Sequence, residues 1–153
     1  MQENIEMFSR AFIILIAGVI LTLGGCKKDS TQYTGLPHEV IVRTDRTYYT
    51  MDDTLTVYLK NFTSREVVIG LTCGVYLGMD YQILKDGVWG PPLPFWYAYL
   101  RCATLLKPII PMSTFRYSQP VSYFDSTGTI RLLVHLSLSH PDSNFVAISN
   151  SFT

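Results

Sequence analysis

The sequence predicts an all-β chain: an antiparallel β-sandwich of about seven strands behind an N-terminal signal peptide. Three observations predict it. Apolar and polar residues alternate with a period of two in several segments after residue 39, turn sequences divide these segments at regular intervals, and no helical pattern of useful length occurs. Without helices to cross between parallel neighbours, the strands must pair antiparallel and pack sheet on sheet. The composition agrees, since 48% hydrophobic and 13% aromatic residues with ten glycines and eight prolines describe a packed, turn-rich domain. At 153 residues, less a leader, there is room for one such domain.

Val40 and Val42 share one face of a first short strand. In TLTVYLK, Leu55, Val57 and Leu59 point one way while Thr56, Tyr58 and Lys60 point the other, which makes a half-buried second strand. Asn61 to Ser64 form a turn, Val67 to Cys73 a β-branched third strand and Tyr81 to Leu84 a fourth. Lys85, Asp86 and Gly87 then turn the chain into Val88 and Trp89, because glycine readily supplies the positive φ that tight hairpins need. After a proline-rich excursion, Thr114 to Tyr117 is expected to be extended. Thr129 to Ser137 sets Ile130, Leu132, Val134 and Leu136 on one face, and Phe145 to Phe152 closes the chain as a last strand.

Ahead of these strands, Ala11 to Leu23 is an uncharged apolar run preceded by Arg10. Its thirteen residues would span about 20 Å as a helix, short of the ~30 Å hydrocarbon core, so a cleaved signal peptide over residues 1–25 is favoured over a membrane-spanning helix. Glu3 and Glu6 are unusual in the segment preceding such a run, and a start at Met7 would leave the ordinary MFSR. The run ends in Leu23, Gly24, Gly25 and Cys26, and LGGC resembles the lipobox of bacterial lipoproteins. The resemblance implies cleavage before Cys26 and a diacylglyceryl thioether on its sulfur, so that the membrane is a partner through that lipid. Lys27, Lys28, Asp29 and Ser30 resemble the charged residues after the acylated cysteine in Bacteroidota lipoproteins. With Lys27 rather than Asp next to Cys26, the inner-membrane retention signal of such lipoproteins is absent, which points to the outer membrane, on either its periplasmic or its outer face. Residues 27–37, KKDSTQYTGLP, read as a tether; a flexible segment of that length would hold the domain about 18 Å from the headgroups.

From Glu39 to Thr153 the chain resembles the immunoglobulin-like domains of small exported bacterial lipoproteins. The resemblance rests on the order of TYYTMDDTLTVYLKN, DGVW, GTIR and SNSF. Ile130 occupies a position where such domains commonly carry a tyrosine, so their tyrosine-corner hydrogen bond is not implied. The family names a fold and no activity.

If Cys26 carries lipid, Cys73 and Cys102 are left as a pair that an exported chain can oxidise. Two separate buried thiols are the alternative. Twelve basic and twelve acidic residues cancel, so no summed field steers nucleic acid to the surface, and nucleic acid is set aside as a partner. His38, His135 and His140 are read as solvated histidines. Asp52 and Asp53 alternate across a strand start without the further acids of a calcium loop, so they read as a turn, and no metal or other cofactor is expected. No nucleophile elbow, metalloprotease helix or phosphate loop occurs, which argues against an enzyme. Asp29-Ser30-Thr31, Asp53-Thr54-Leu55 and Asp125-Ser126-Thr127 resemble the Bacteroidota O-glycosylation acceptor, and Asn61-Phe62-Thr63 fits an N-glycosylation sequon but reads as a turn.

The unusual stretch is Trp89 to Tyr99, WGPPLPFWYAY. A proline-stiffened loop presenting Trp96, Tyr97 and Tyr99 would be a candidate ligand-binding surface for a glycan or a peptide. Alternatively the rings fold down as a lid on the end of the sandwich, with Trp96 buried, and the lid is the expectation. The chain is therefore expected to be a lipid-anchored, non-catalytic envelope protein with a structural or interaction domain, or else a glycan- or peptide-binding lipoprotein.

Overall fold

The structure is a computed structural model that describes residues 39–138 and 144–153. The expected signal peptide, Cys26, the expected tether, His38, His140 and Asp29-Ser30-Thr31 lie outside the described residues. Eleven strands and two short 3-10 turns, at Trp96–Tyr99 and Val121–Tyr123, make up the described regular structure. In chain order the strands are β1 (Val40–Thr44), β2 (Thr54–Asn61), β3 (Val67–Thr72), β4 (Tyr76–Leu77), β5 (Met79–Lys85) and β6 (Val88–Trp89). They continue as β7 (Leu93–Pro94), β8 (Thr104–Ile109), β9 (Thr114–Pro120), β10 (Ile130–Leu138) and β11 (Asn144–Ile148).

Two antiparallel sheets form. One has three strands in the order β1-β2-β9; the other has eight, built on β4-β3-β10-β5-β6 with β11 beside β10, β7 beside β5 and β8 beside β3. The all-β sandwich read from the sequence is therefore the fold. Leu55, Val57 and Leu59 from β2 and Leu132, Val134 and Leu136 from β10 are all buried between the sheets, as their alternation requires. Thr56, expected on the polar side, is buried as well, because its hydroxyl pairs with the Ser118 hydroxyl across β2 and β9 at 3.1 Å. At Asp86 and Gly87 both φ angles are positive, 51° and 77°, and Leu84 and Lys85 face Trp89 and Val88, so the predicted hairpin forms there.

β3 and β5 both line the same side of β10, each along part of its length. β3 faces Leu136 to Leu138, and then a hairpin at residues 73–75 wedges β4 between the two strands. Gly78 sits in that fork. Its N–H donates to Gly70 O at 2.8 Å and its carbonyl accepts from His135 N at 3.0 Å, and an added Cβ would meet Gly70 O at 3.3 Å. From there β5 takes over as the partner of β10, from Val134 back to Ile130.

The last strand is shorter than expected. β11 ends at Ile148, and beyond it the chain is held to β10 by the Ser149 N–H donating to Leu132 O at 3.0 Å and by an isolated bridge between Phe152 and Ile130. The Ser149 hydroxyl replaces a ladder bond by accepting from Leu132 N at 2.9 Å, and Ser149 also bridges Val42 in parallel, which joins the two sheets along one edge. The Asn150 side chain clasps Thr44, accepting from its N–H and donating to its Oγ1, each at 2.9 Å.

Candidate functional site

The proline-rich segment after β6 is drawn inward by alternate side chains. Phe95 and Tyr97 enter the core, each 1% exposed, while Trp96 between them is 41% exposed and Tyr99 75% exposed. The expectation that a lid buries Trp96 is corrected: Phe95 and Tyr97 fold down into the core while Trp96 stays outside. Tyr97 is correspondingly corrected as a ligand-contacting residue: its ring is sandwiched in parallel between Tyr76 at 4.8 Å and Phe95 at 5.2 Å and has no face free. The cause is local geometry. In a 3-10 turn side chains three apart eclipse, so Trp96 and Tyr99, its first and last residues, project on one side while Tyr97 turns to the other.

Trp96 is held edge to face by three tyrosines, Tyr76 at 5.3 Å, Tyr123 at 5.5 Å and Tyr97 at 5.7 Å. Beneath it the Tyr97 and Tyr117 hydroxyls both donate to Gln119 Oε1, at 3.3 and 3.2 Å. Burial pushes both phenols up, so they stay protonated donors. The buried Gln119 amide nitrogen has no partner among the described residues. From this knot an aromatic chain runs through the core: Phe95 to Phe124 at 5.0 Å, Phe124 to Phe152 at 5.8 Å, and Phe152 to Tyr49 at 5.4 Å.

Cys73 and Cys102 are disulfide-bonded with their Cα atoms 5.2 Å apart. Cys73 is turned toward Cys102 by a left-handed backbone, φ 53°, in the hairpin before β4, and the bond fastens that hairpin to the segment following Tyr99. The three residues of the aromatic loop singled out by sequence therefore divide: Trp96 and Tyr99 share an exposed face, and Tyr97 is structural.

The acidic turn before β2 serves the backbone. Asp53 Oδ2 accepts from Thr50 N at 2.7 Å and from its hydroxyl at 2.9 Å, and Oδ1 pairs with Arg46 at 3.1 Å. These hydrogen bonds hold the Asp53 carboxyl below the usual carboxylate range. Asp45 was not singled out by sequence, yet it ties the same turn to β2. Burial alone would raise its carboxyl, but hydrogen bonds from the Tyr49 hydroxyl at 2.7 Å and Thr56 N at 2.8 Å outweigh burial and lower it. The Tyr49 hydroxyl is pushed up to about 12 by burial first and by the Asp45 bond second.

His135 is exposed and lies 3.0 Å from Asp80 Oδ2. It borders a shallow recess of about 420 Å³ on the outer face of the eight-stranded sheet, floored at Gly70. A more apolar recess of about 350 Å³ lies at the end of the sandwich, between Met51, Phe124 and Phe152. Among the described residues no group of three or more His, Cys, Asp or Glu side chains is placed to hold a metal ion. Asn61 of the sequon is fully buried, donating to the carbonyls of Arg65 and Ile109 and accepting from Thr63 N, so it is a turn-forming residue. Thr54 is exposed at the start of β2 and Ser126 is half-buried in the loop before β10.

No protein-family model and no curated protein sequence matches this chain.

Proposed function

We propose that the chain is a lipid-anchored, non-catalytic envelope protein whose immunoglobulin-like domain makes contacts close to the outer membrane. The observation that carries this reading is Leu23-Gly24-Gly25-Cys26 directly after the uncharged run Ala11 to Leu23. The disulfide supports it, because a bonded Cys73–Cys102 pair fits an oxidising compartment and leaves Cys26 as the one cysteine of the sequence outside that pair. The test is metabolic labelling of a Cys26→Ser variant with palmitate. An unprocessed, unlabelled precursor is expected, and labelled protein of mature size would overturn the reading.

A second reading, a glycan- or peptide-binding lipoprotein, is favoured by one observation: Trp96 and Tyr99 stand exposed on one side of a turn whose neighbours are fastened into the core. Rings held in place before a ligand arrives lose little freedom on binding. Glycan and peptide arrays probed with the full chain in detergent, beside a Trp96→Ala control, test it. Binding lost in the variant would support this reading, and silence on both arrays would reject it.

A further inference from the structure

Strand β8 is paired on one side only. From Thr104 to Ile109 it faces Thr72 to Val67 of β3, and among the described residues no strand pairs with its other edge. A free edge is a row of backbone donors and acceptors open to another extended chain, and folded proteins usually blunt such edges with charge, proline or short length. Here Lys107 and Pro108 are the only such devices, and Leu105, Leu106 and Ile109 are apolar.

The apolar side chains are uncovered for two reasons. Leu105 lies opposite Leu71 on the inward face, yet it is 56% exposed because the three-stranded sheet ends at β9 and is the narrower layer. Leu106 lies opposite Gly70, which has no side chain to set beside it, and it is 67% exposed on the outer face. Ile110 and Met112 continue the exposed apolar run, and half of the exposed large apolar side chains among the described residues fall between Trp96 and Met112.

Charge selects the occupant. From Gly87 to Phe124 the chain contains Arg101, Lys107 and Arg116 and no acidic residue. All three are exposed and none pairs with an acid among the described residues; the Lys107 ammonium lies 4.9 Å from the centre of the Phe115 ring instead. Glu66, just ahead of β3, is the nearest acid along the neighbouring strand and makes no ion pair. A second copy paired edge to edge would set these cations against their own kind.

We propose that β8 is a docking strand for an extended partner peptide that alternates aliphatic with acidic side chains and adds to the sheet as a further strand. Backbone hydrogen bonds supply register, Leu106 meets the aliphatic side chains on the outer face, and Lys107 on the opposite face attracts the acids. The proposal rests on the domain's interaction role and not on the lipid, so palmitate labelling and peptide binding report on the two separately.

The test uses the full chain in detergent micelles and a fluorescent synthetic peptide alternating valine with glutamate, followed by anisotropy. That peptide is expected to bind at least about tenfold more tightly than its valine-lysine counterpart and to lose binding when a central valine becomes proline. Leu106→Glu should abolish binding while the melting curve stays in place, and Lys107→Glu should narrow the preference for glutamate. The proposal is overturned if no peptide binds, if the lysine or proline-interrupted peptide binds equally well, or if sedimentation shows a dimer that Leu106→Glu dissolves.

Discussion

Asp45 and Tyr49 show how single side chains hold the turn between β1 and β2. Tyr49 donates to Asp45 and also accepts from Arg46 N at 2.9 Å, so Tyr49→Phe removes two hydrogen bonds and leaves the partly buried carboxylate short of a donor. A loss of roughly 1 to 3 kcal/mol is expected, read from denaturant melts. Their pH signatures have opposite signs. The lowered Asp45 and Asp53 carboxyls contribute stability that is complete above the unfolded carboxylate range, near 4, and is lost as pH falls through their depressed folded values. The raised Tyr49 contributes stability that is complete below about 10 and is lost as pH rises through about 12. A melting-temperature profile should therefore fall at both extremes, and Tyr49→Phe should flatten the alkaline limb; an unchanged alkaline limb would reject the assignment. None of this pairing is legible in the sequence, where Asp45 is one acid among twelve and its partner Thr56 lies across a turn.

At the scale of elements, the aromatic loop gives two contrasting substitutions. Phe95→Ala removes a fully buried ring between Tyr81 and Phe124 and should cost about 3 to 5 kcal/mol. Trp96→Ala removes a ring that is largely at the surface and should cost clearly less, and in a Trp89→Phe background the Trp96 emission should be quenched by iodide. Equal costs with an unquenched Trp96 would mean that the ring is buried after all. The disulfide acts on the same element. It closes a loop across 29 residues, so Cys73→Ala should lower stability by about 3.5 kcal/mol in the chain-entropy model and the melting temperature by roughly ten degrees or more. Alkylation of both cysteines in native, unreduced protein would show that the bond is absent.

The described residues form an asymmetric sandwich, three strands against eight. One lateral edge is joined by the Val42–Ser149 bridge, whereas β8 and β9 end their sheets without a further partner among the described residues. Sheets of unequal width leave inward-facing side chains uncovered at the wider margin, which is why Leu105 is exposed on a face that is elsewhere core. The exposed apolar surface, Trp96 and Tyr99 included, is concentrated where the disulfide stiffens the chain. Closed and open edges thus divide the molecule into a part that specifies the fold and a part free to make contacts.

By itself the sequence determined the fold class and most of the long strands, because a half-buried strand writes its two faces into a period of two, as β2 and β10 do. Counting cysteines determined which two would pair if Cys26 were lipidated, and Asp86-Gly87 determined a hairpin. β8 was illegible for the converse reason: Thr104 to Pro108 are all exposed, so no face is written into the residues and only pairing with β3 makes them a strand. β4 and β7, two residues each, are too short to carry a period. The aromatic loop was legible as unusual but not as oriented. Which ring entered the core was decided by the 3-10 turn, by Tyr76 and Phe95 on either side of Tyr97, and by Gln119 beneath it, groups brought together only by the closure of the two sheets.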